Sequence, residues 1–376
     1  MRNIKNHIIN ILLVNISIAL VLLIVELATR LIYNNHYINW MEFRESRPEP
    51  YKNSEYFSEK FLEEQFSHGK WINPPGTRII YPDNFKGEYF NIENNLRFTT
   101  NAPEKYANHI YLYGGSTIFN SEVPDKHTVA SYLQRYVNMH SPNKYRVVNC
   151  GVTSINTVQQ LEKLMTTKID SGDIVCFYGG VNDGLLFTTG RINGWIMGEK
   201  YIEYSRKFNL LQKIRFKIYL ELSNYSYFIR IFLDPYSYQV PVPLQDPENI
   251  KNLQNKLFQS YTNTILSADS ICRKNNAIFY NFLQPNLVTR TKNTPYEIDL
   301  LKHKYLIANA NILALKYSYE ILIKANQQLI NSGITSTDLT SIFNATNDNY
   351  YLDYCHVTEK ANEIIASEIF KIINEK

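Results

Sequence analysis

From His109 onward, short apolar runs that end in glycine alternate with amphipathic stretches of helical period. HIYLYGG, YRVVNCG and DIVCFYGG are runs of the first kind, VASYLQRYV and TVQQLEKLMTTKI stretches of the second. Apolar runs of four to eight residues suit strands buried on both faces. Strands that alternate with helices give a parallel sheet covered on both sides. The chain is therefore expected to be α/β, which excludes an antiparallel sandwich and an all-helical bundle.

The alternation is interrupted between about residues 185 and 250, a region rich in aromatic and basic residues that reads as an insertion or cap over the sheet edge. It resumes with a long helix over about Lys251–Asn275, a fourth strand in AIFYNFLQP and a second long helix over about Lys302–Ser332. SIFNAT is a candidate fifth strand, and TEKANEIIASEIFKIINE is a closing amphipathic helix. Upstream, PEP, NPPG and YPDN mark turns, and GEYFNI and NLRFTT read as short accessory strands.

At the N-terminus stands IINILLVNISIALVLLIVEL, Ile8–Leu27. Twenty residues of helix span roughly 30 Å, the thickness of a bilayer's hydrocarbon core. Arg2 and Lys5 precede the span, and Arg30 follows it closely. That balance places the N-terminus in the cytoplasm and the bulk of the chain outside it. A cleaved signal peptide should carry a shorter apolar region and a small-x-small site, and Ala28-Thr29-Arg30-Leu31 is a poor match. The expected layout is a cytoplasmic tail at 1–6, a transmembrane anchor at 7–28, a stem with accessory strands at 29–106, and the main α/β domain at 107–376.

Composition narrows the function classes. The net charge is +4, with both signs mixed along the chain and no basic run interleaved with aromatics, so nucleic acid is not an expected partner. Cys150, Cys176, Cys272 and Cys355 are scattered, with neither CxxC pairs nor zinc-ligand spacing. They read as buried free thiols.

In open α/β sheets, ligands bind beyond the carboxyl ends of the strands. Three strands end in Gly114-Gly115-Ser116-Thr117, Asn149-Cys150-Gly151 and Gly179-Gly180-Val181-Asn182-Asp183, and Asp353-Tyr354-Cys355-His356 precedes the last helix. Together they offer the parts of an acyl-transfer site. Ser116 supplies a hydroxyl, His356 a general base, and Asp353 a carboxylate to orient the ring. The backbone N–H of Ser116, the N–H of Gly151 and the side-chain amide of Asn182 are candidate oxyanion donors. Asp183 reads as a loop cap. Singly, each has a bland reading: a Gly-Gly-Ser is often a tight turn, and a lone histidine before a helix is usually structural.

Taken in order, the blocks resemble the SGNH (GDSL-like) hydrolases, named for Ser, Gly, Asn and His. YLYGGSTIF is similar to the first block, with GGS where many members have GDS. NCGVTS resembles the second, GGVND the third, and DYCHVTEKAN the block carrying D-x-x-H. The resemblance covers about residues 107–376. Ser154 stands where a further glycine is common in the second block, and Ala361 where one often follows the histidine. The resemblance implies a flavodoxin-like sheet of five parallel strands in the order 2-1-3-4-5, with helices on both faces. It also implies ester hydrolysis without a metal or organic cofactor, and the anchor and stem resemble membrane-tethered bacterial members. In that strand order Cys150 and Cys176 sit on non-adjacent strands about 9–10 Å apart, too far for a disulfide.

Three functions remain open at this point. The first is an esterase acting on an acyl ester, acetyl favoured, of a cell-surface glycan or related envelope substrate, or on a small ester. The second is an O-acyltransferase using the same residues. The third is a catalytically silent binding protein on the same fold. The sequence names no protein partner.

Overall fold

A computed structural model describes residues 9–10, 12–29, 31, 49–51, 54–67, 71–72, 79, 81–189, 211, 214, 246–302 and 309–375. The chain divides into two compact units. One comprises Met1–Pro48 with Lys200–Gln239, the other Glu49–Glu199 with Val240–Lys376.

In the first unit, Leu12–Thr29 forms a helix with a mean hydropathy of 2.4 and 6% of its residues buried. It is long and apolar enough to cross a membrane, a test that a signal sequence near the N-terminus also passes. The expected tail at 1–6 and nearly all of the expected insertion, 190–210, 212–213 and 215–245, lie outside the described residues.

The second unit is built on one sheet. Its strands in chain order are β1 (Trp71–Ile72), β2 (Tyr81–Pro82), β3 (Phe85–Lys86), β4 (Asn91–Glu93), β5 (Leu96–Arg97), β6 (Asn108–Gly114), β7 (Tyr145–Asn149), β8 (Ile174–Gly179), β9 (Ile278–Leu283) and β10 (Ser336–Asp338). β1 and β2 pair as a separate antiparallel ribbon. The other eight form one sheet in the order β10-β9-β8-β6-β7-β5-β4-β3. From β7 to β10 every pairing is parallel. These five strands run in the expected order.

The expectation of a five-stranded sheet is corrected: the sheet has eight strands. β3, β4 and β5 add to it antiparallel, with Arg97 opposite Asn149 on β7. Without them β7 would expose a row of unpaired backbone groups. Arg97 is 1% exposed, and its side chain is what ties this extension down. It bonds the Asp125 carboxylate at 2.6 Å and the Asn120 and Val123 carbonyls at 3.3 and 3.0 Å, and it lies 3.9 Å from the Phe90 ring centroid. The accessory strands thus belong to the same compact unit as the strands that follow them.

A second correction concerns the last strand. It is Ser336–Asp338, not the SIFNAT segment, because Leu339 N–H closes the pairing on Leu283 and Asp338 then accepts from Thr340 N–H to start a turn.

Helices cover both faces. They are α1 (Glu59–Ser67), α2 (Ser116–Phe119), α3 (Val129–His140), α4 (Thr157–Met165), α5 (Val181–Leu185), α6 (Pro247–Lys274), α7 (Pro295–Lys302), α8 (Asn309–Asn331) and α9 (Glu359–Asn374). On one face α6 packs against α4 and α8, on the other α3 packs against α9. Sequence sets their starts. Thr128 and Thr358 cap α3 and α9 through side-chain oxygens, Asn156 and Gln159 form a capping box on α4, and Asp246 with Pro247 opens α6. β8 is buried along its whole length, as expected of a strand covered on both sides.

All four cysteines are buried and free. Leu112 of β6 stands between Asn149 and Cys176, which keeps Cys150 and Cys176 on strands that do not touch.

Candidate active site

The chain leaves β6 at Gly114 and turns at once into α2, so the first helical residue, Ser116, lies at the carboxyl edge of the sheet. The turn is tight: a Cβ at Gly114 would stand 2.4 Å from Ile118 Cγ1, and one at Gly115 would stand 2.5 Å from Asn182 Nδ2. The contact at Gly115 shows how close the Asn182 amide comes to the serine's backbone. As the first residue of a helix, Ser116 has an N–H without an intrahelical acceptor.

His356 and Asp353 come from the loop before α9. That loop is closed by Leu352 N–H on the His356 carbonyl, by Thr358 N–H on the Tyr350 carbonyl, and by a bridge between Tyr351 and Val357. His356 Nε2 lies 2.8 Å from Ser116 Oγ, and Nδ1 lies 2.6 Å from Asp353 Oδ2. Asp353 Oδ1 accepts from the N–H groups of Cys355 and His356 at 2.8 and 2.7 Å. Three residues expected to act together do meet, across a sequence gap of 240 between the serine and the histidine.

The electrostatics follow from burial and partners. Burial alone would push the Asp353 carboxyl up, but the His356 ring and the two backbone N–H groups outweigh it and hold it at about 2. For His356, burial disfavours the charged ring, yet the carboxylates of Asp353 and Glu122 raise it well above the ordinary histidine value. The ring is therefore a stronger base than free histidine, and Asp353 stays ionised to orient it.

The oxyanion side departs from expectation at one residue. Gly151 N–H is not free, because it donates to Asn149 Oδ1 at 3.0 Å, while Asn149 Nδ2 donates to the Ile118 carbonyl at 2.9 Å. A Cβ at Gly151 would lie 2.3 Å from Phe119 N. The glycine is needed for the loop after β7 to lie against α2, which is a packing role. Further along that loop, Ser154 is exposed and left-handed at φ 64°, and its N–H meets no acceptor among the described residues. Its neighbour Ile155 accepts from Asn182 Nδ2 at 2.7 Å, which joins this loop to α5.

Asp183 is structural. Fully buried, it accepts from Thr157 N–H and Oγ1 and from Gly180 N–H, linking the starts of α4 and α5. It thereby fixes the turn that presents Asn182.

Two further features were not legible as site residues. Glu122, six positions after Ser116, places Oε1 3.9 Å from His356 Nε2. Arg290 and Glu297 form a fully buried pair, with Arg290 bonding the Thr346 and Asp348 carbonyls and Glu297 accepting from Tyr350 N–H. They fasten the segment leading into the histidine loop. An acidic residue in NSEVPD or an arginine in LVTRT carries no motif signal; only the tertiary fold brings them here.

Among the described residues, Asp353, Cys355 and His356 are the group of three whose donor atoms lie near enough to share a metal, within 4.8 Å of one another. Asp353 and His356 are already bonded to each other. Burial pushes the Cys355 thiol up to about 11, which keeps it protonated and a poor metal ligand at neutral pH.

No protein-family model matches the chain, and no curated protein matches it. Solved structures similar to it include a lipolytic protein of the G-D-S-L family from Veillonella parvula DSM 2008, at 9% identity and a TM-score of 0.40, covering 72% of this chain and 100% of that one. The lipase Lip_vut3 from a goat rumen metagenome is 10% identical with a TM-score of 0.40, covering 71% of this chain and 97% of that one. The acetylxylan esterase Axe2 from Geobacillus stearothermophilus is 12% identical with a TM-score of 0.37, covering 71% and 94%. The geometry of this chain's own residues, and not these distant likenesses, carries the functional reading.

Proposed function

We propose that the chain is a serine esterase that works through an acyl-enzyme. The observation that carries this reading is the unbroken line from Ser116 Oγ through His356 to Asp353, at 2.8 and 2.6 Å. Ser116 attacks the ester carbonyl while its proton passes to His356 Nε2. The same proton then leaves with the alcohol, and His356 draws a proton from water to release the acyl group. Asp353 holds the ring and offsets its charge. Oxyanion donors in this reading are the Ser116 N–H and the Asn182 amide, with the free N–H of Ser154 taking the place expected of Gly151. No metal or organic cofactor is assigned a part.

Leu12–Thr29 would anchor the chain with its N-terminus in the cytoplasm and its catalytic unit outside, near an acylated glycan of the cell envelope. Support for the anchor is the helix's length and apolarity. Support for its orientation is the pair Arg2 and Lys5 ahead of the span.

The test is labelling of the full-length chain in detergent by a fluorophosphonate probe. Labelling at Ser116, absent in S116A, is expected; an unlabelled Ser116 would overturn the reading in favour of a silent binding protein. Incubation with an acetyl ester, with and without a sugar acceptor, then separates hydrolysis from transfer.

A further inference from the structure

Glu122 has no part in the triad, yet its carboxylate faces the nitrogen that does the work. Glu122 Oε1 lies 3.9 Å from His356 Nε2, the atom that also holds Ser116 Oγ at 2.8 Å. Side-chain exposure is 15% for His356 and 7% for Glu122, so little water screens the two. Opposite charges within about 4–6 Å in such surroundings act strongly on each other.

The position is built on both sides. Arg97 grips the carbonyls of Asn120 and Val123, the residues that bracket Ser121 and Glu122, and pairs with Asp125 just beyond. Asn120 is left-handed at φ 56° and ties back to the Thr117 carbonyl at 2.8 Å. Ser121 Oγ donates to Glu122 Oε1 at 2.9 Å, and Tyr51 OH donates to the Glu122 carbonyl at 3.2 Å. Arg97 and Tyr51, from distant parts of the chain, thus hold this stretch together with its neighbours Thr117 and Ser121.

The titratable groups facing the ring among the described residues come from two elements. From its own loop come Asp353 at Nδ1, the Cys355 thiol 3.7 Å from Nδ1, and the Tyr354 ring with its centroid 6.5 Å away. From the nucleophile's loop comes Glu122. Cys355 and Tyr354 are both pushed up and stay neutral at physiological pH, so the carboxylates are the groups that bring charge.

We propose that Glu122 is a positioning residue for the reaction, a second counter-charge that steadies the His356 imidazolium from the Nε2 side while Asp353 steadies it from the Nδ1 side. This rests on the esterase reading above. When Ser116 gives up its proton, the ring becomes positive with a carboxylate at each edge. The ring is then more basic than Asp353 alone would make it, and the enzyme needs a higher pH to free its base.

The experiment is the pH dependence of fluorophosphonate labelling at Ser116 in the full-length chain in detergent, from about pH 5 to 9. Labelling falls on the acid side as His356 is protonated. In E122Q that limb is expected to move to lower pH by about one unit, with the plateau rate within a few-fold of wild type. E122D keeps the charge and is expected to keep the limb near its original place. An unmoved limb in E122Q overturns the proposal. Should E122Q lose its cooperative thermal transition, E122M is measured with the same two outcomes. If neither neutral variant folds while E122D does, Glu122 is a structural charge and the proposal is overturned. Absence of labelling in the wild-type chain at every pH sinks the esterase reading itself, whereas labelling with an unmoved limb sinks only this role of Glu122.

Discussion

The loop that carries Ser116 and the loop that carries His356 solve the same problem by related means. Each is fastened by a buried arginine that grips two backbone carbonyls and one carboxylate. Arg97 holds Asn120, Val123 and Asp125 behind Ser116, and Arg290 holds Thr346, Asp348 and Glu297 ahead of His356. The difference lies in what else supports them. Ser116 follows β6 directly and needs only a two-glycine turn to be placed. His356 sits in an irregular loop after a long excursion from β10, and its lead-in hangs on the Arg290 pair. A residue placed by a strand end needs little else; one placed by a loop needs a clamp from elsewhere in the chain.

The largest expected effect removes the proposed nucleophile altogether. S116A should cost on the order of a million-fold in kcat while thermal unfolding stays as in wild type; retained turnover would show that another group attacks.

Next come the clamps, which test the comparison directly. Removing one partner of a buried pair typically costs about 3–5 kcal/mol, because the other charge is left buried and alone. R290M and R97M should both destabilise on that scale in denaturant titration. R290M should also lower kcat in the fraction that remains folded, since the base loop has less to fall back on. The pair R290M/E297L should recover part of the lost stability. Equal loss of kcat in R97M and R290M at matched folded fraction would erase the distinction between the two loops.

N182A removes the proposed oxyanion donor and should cost about 100–1,000-fold in kcat with KM little changed. Its loss should be separable from stability, because the Asp183 network that fixes α5 remains.

The smallest effect concerns acid. The Asp353 carboxyl is depressed to about 2 in the folded chain, below an unfolded value near 3.9, so it contributes stability above the unfolded value. That contribution, about 2–3 kcal/mol, is lost as pH falls from about 4 towards about 2. D353N should flatten this part of the stability curve; an unchanged acid slope would mean that the carboxylate is not ionised in the fold. Activity fails earlier, since His356 is raised and must be neutral to act. The acid limb of kcat/KM should therefore lie above the ordinary histidine value of about 6.5.

The alternation of strand and helix was legible because β6 and β8 end in glycine and α3 and α4 open on the caps Thr128 and Asn156, whereas the order of the strands came from the family resemblance. Ser116, Asp353 and His356 were legible for the same reason, since strand ends and pre-helix loops gather at one edge. Gly151 was misread because a glycine after a strand announces close approach, not which atom is left free; here the close approach is to Phe119 and the N–H is taken by Asn149. Two of the three added strands are visible in GEYFNI and NLRFTT, but not their place in the main sheet, because runs of two or three residues are too short to show a period that marks a partner. The Arg290–Glu297 clamp escaped because its worth comes from carbonyls more than fifty residues away.

The sheet's two ends carry a consequence for life at close quarters. Among the described residues, one end is β3, two residues long, and the other is β10, three residues long. A border so short offers a neighbouring copy almost no backbone to zip onto, and β3 adds the charge of Lys86. Strand exchange and fibre growth start from long bare borders, and this molecule has trimmed both of its own. Borders this short disfavour strand-to-strand pairing between copies.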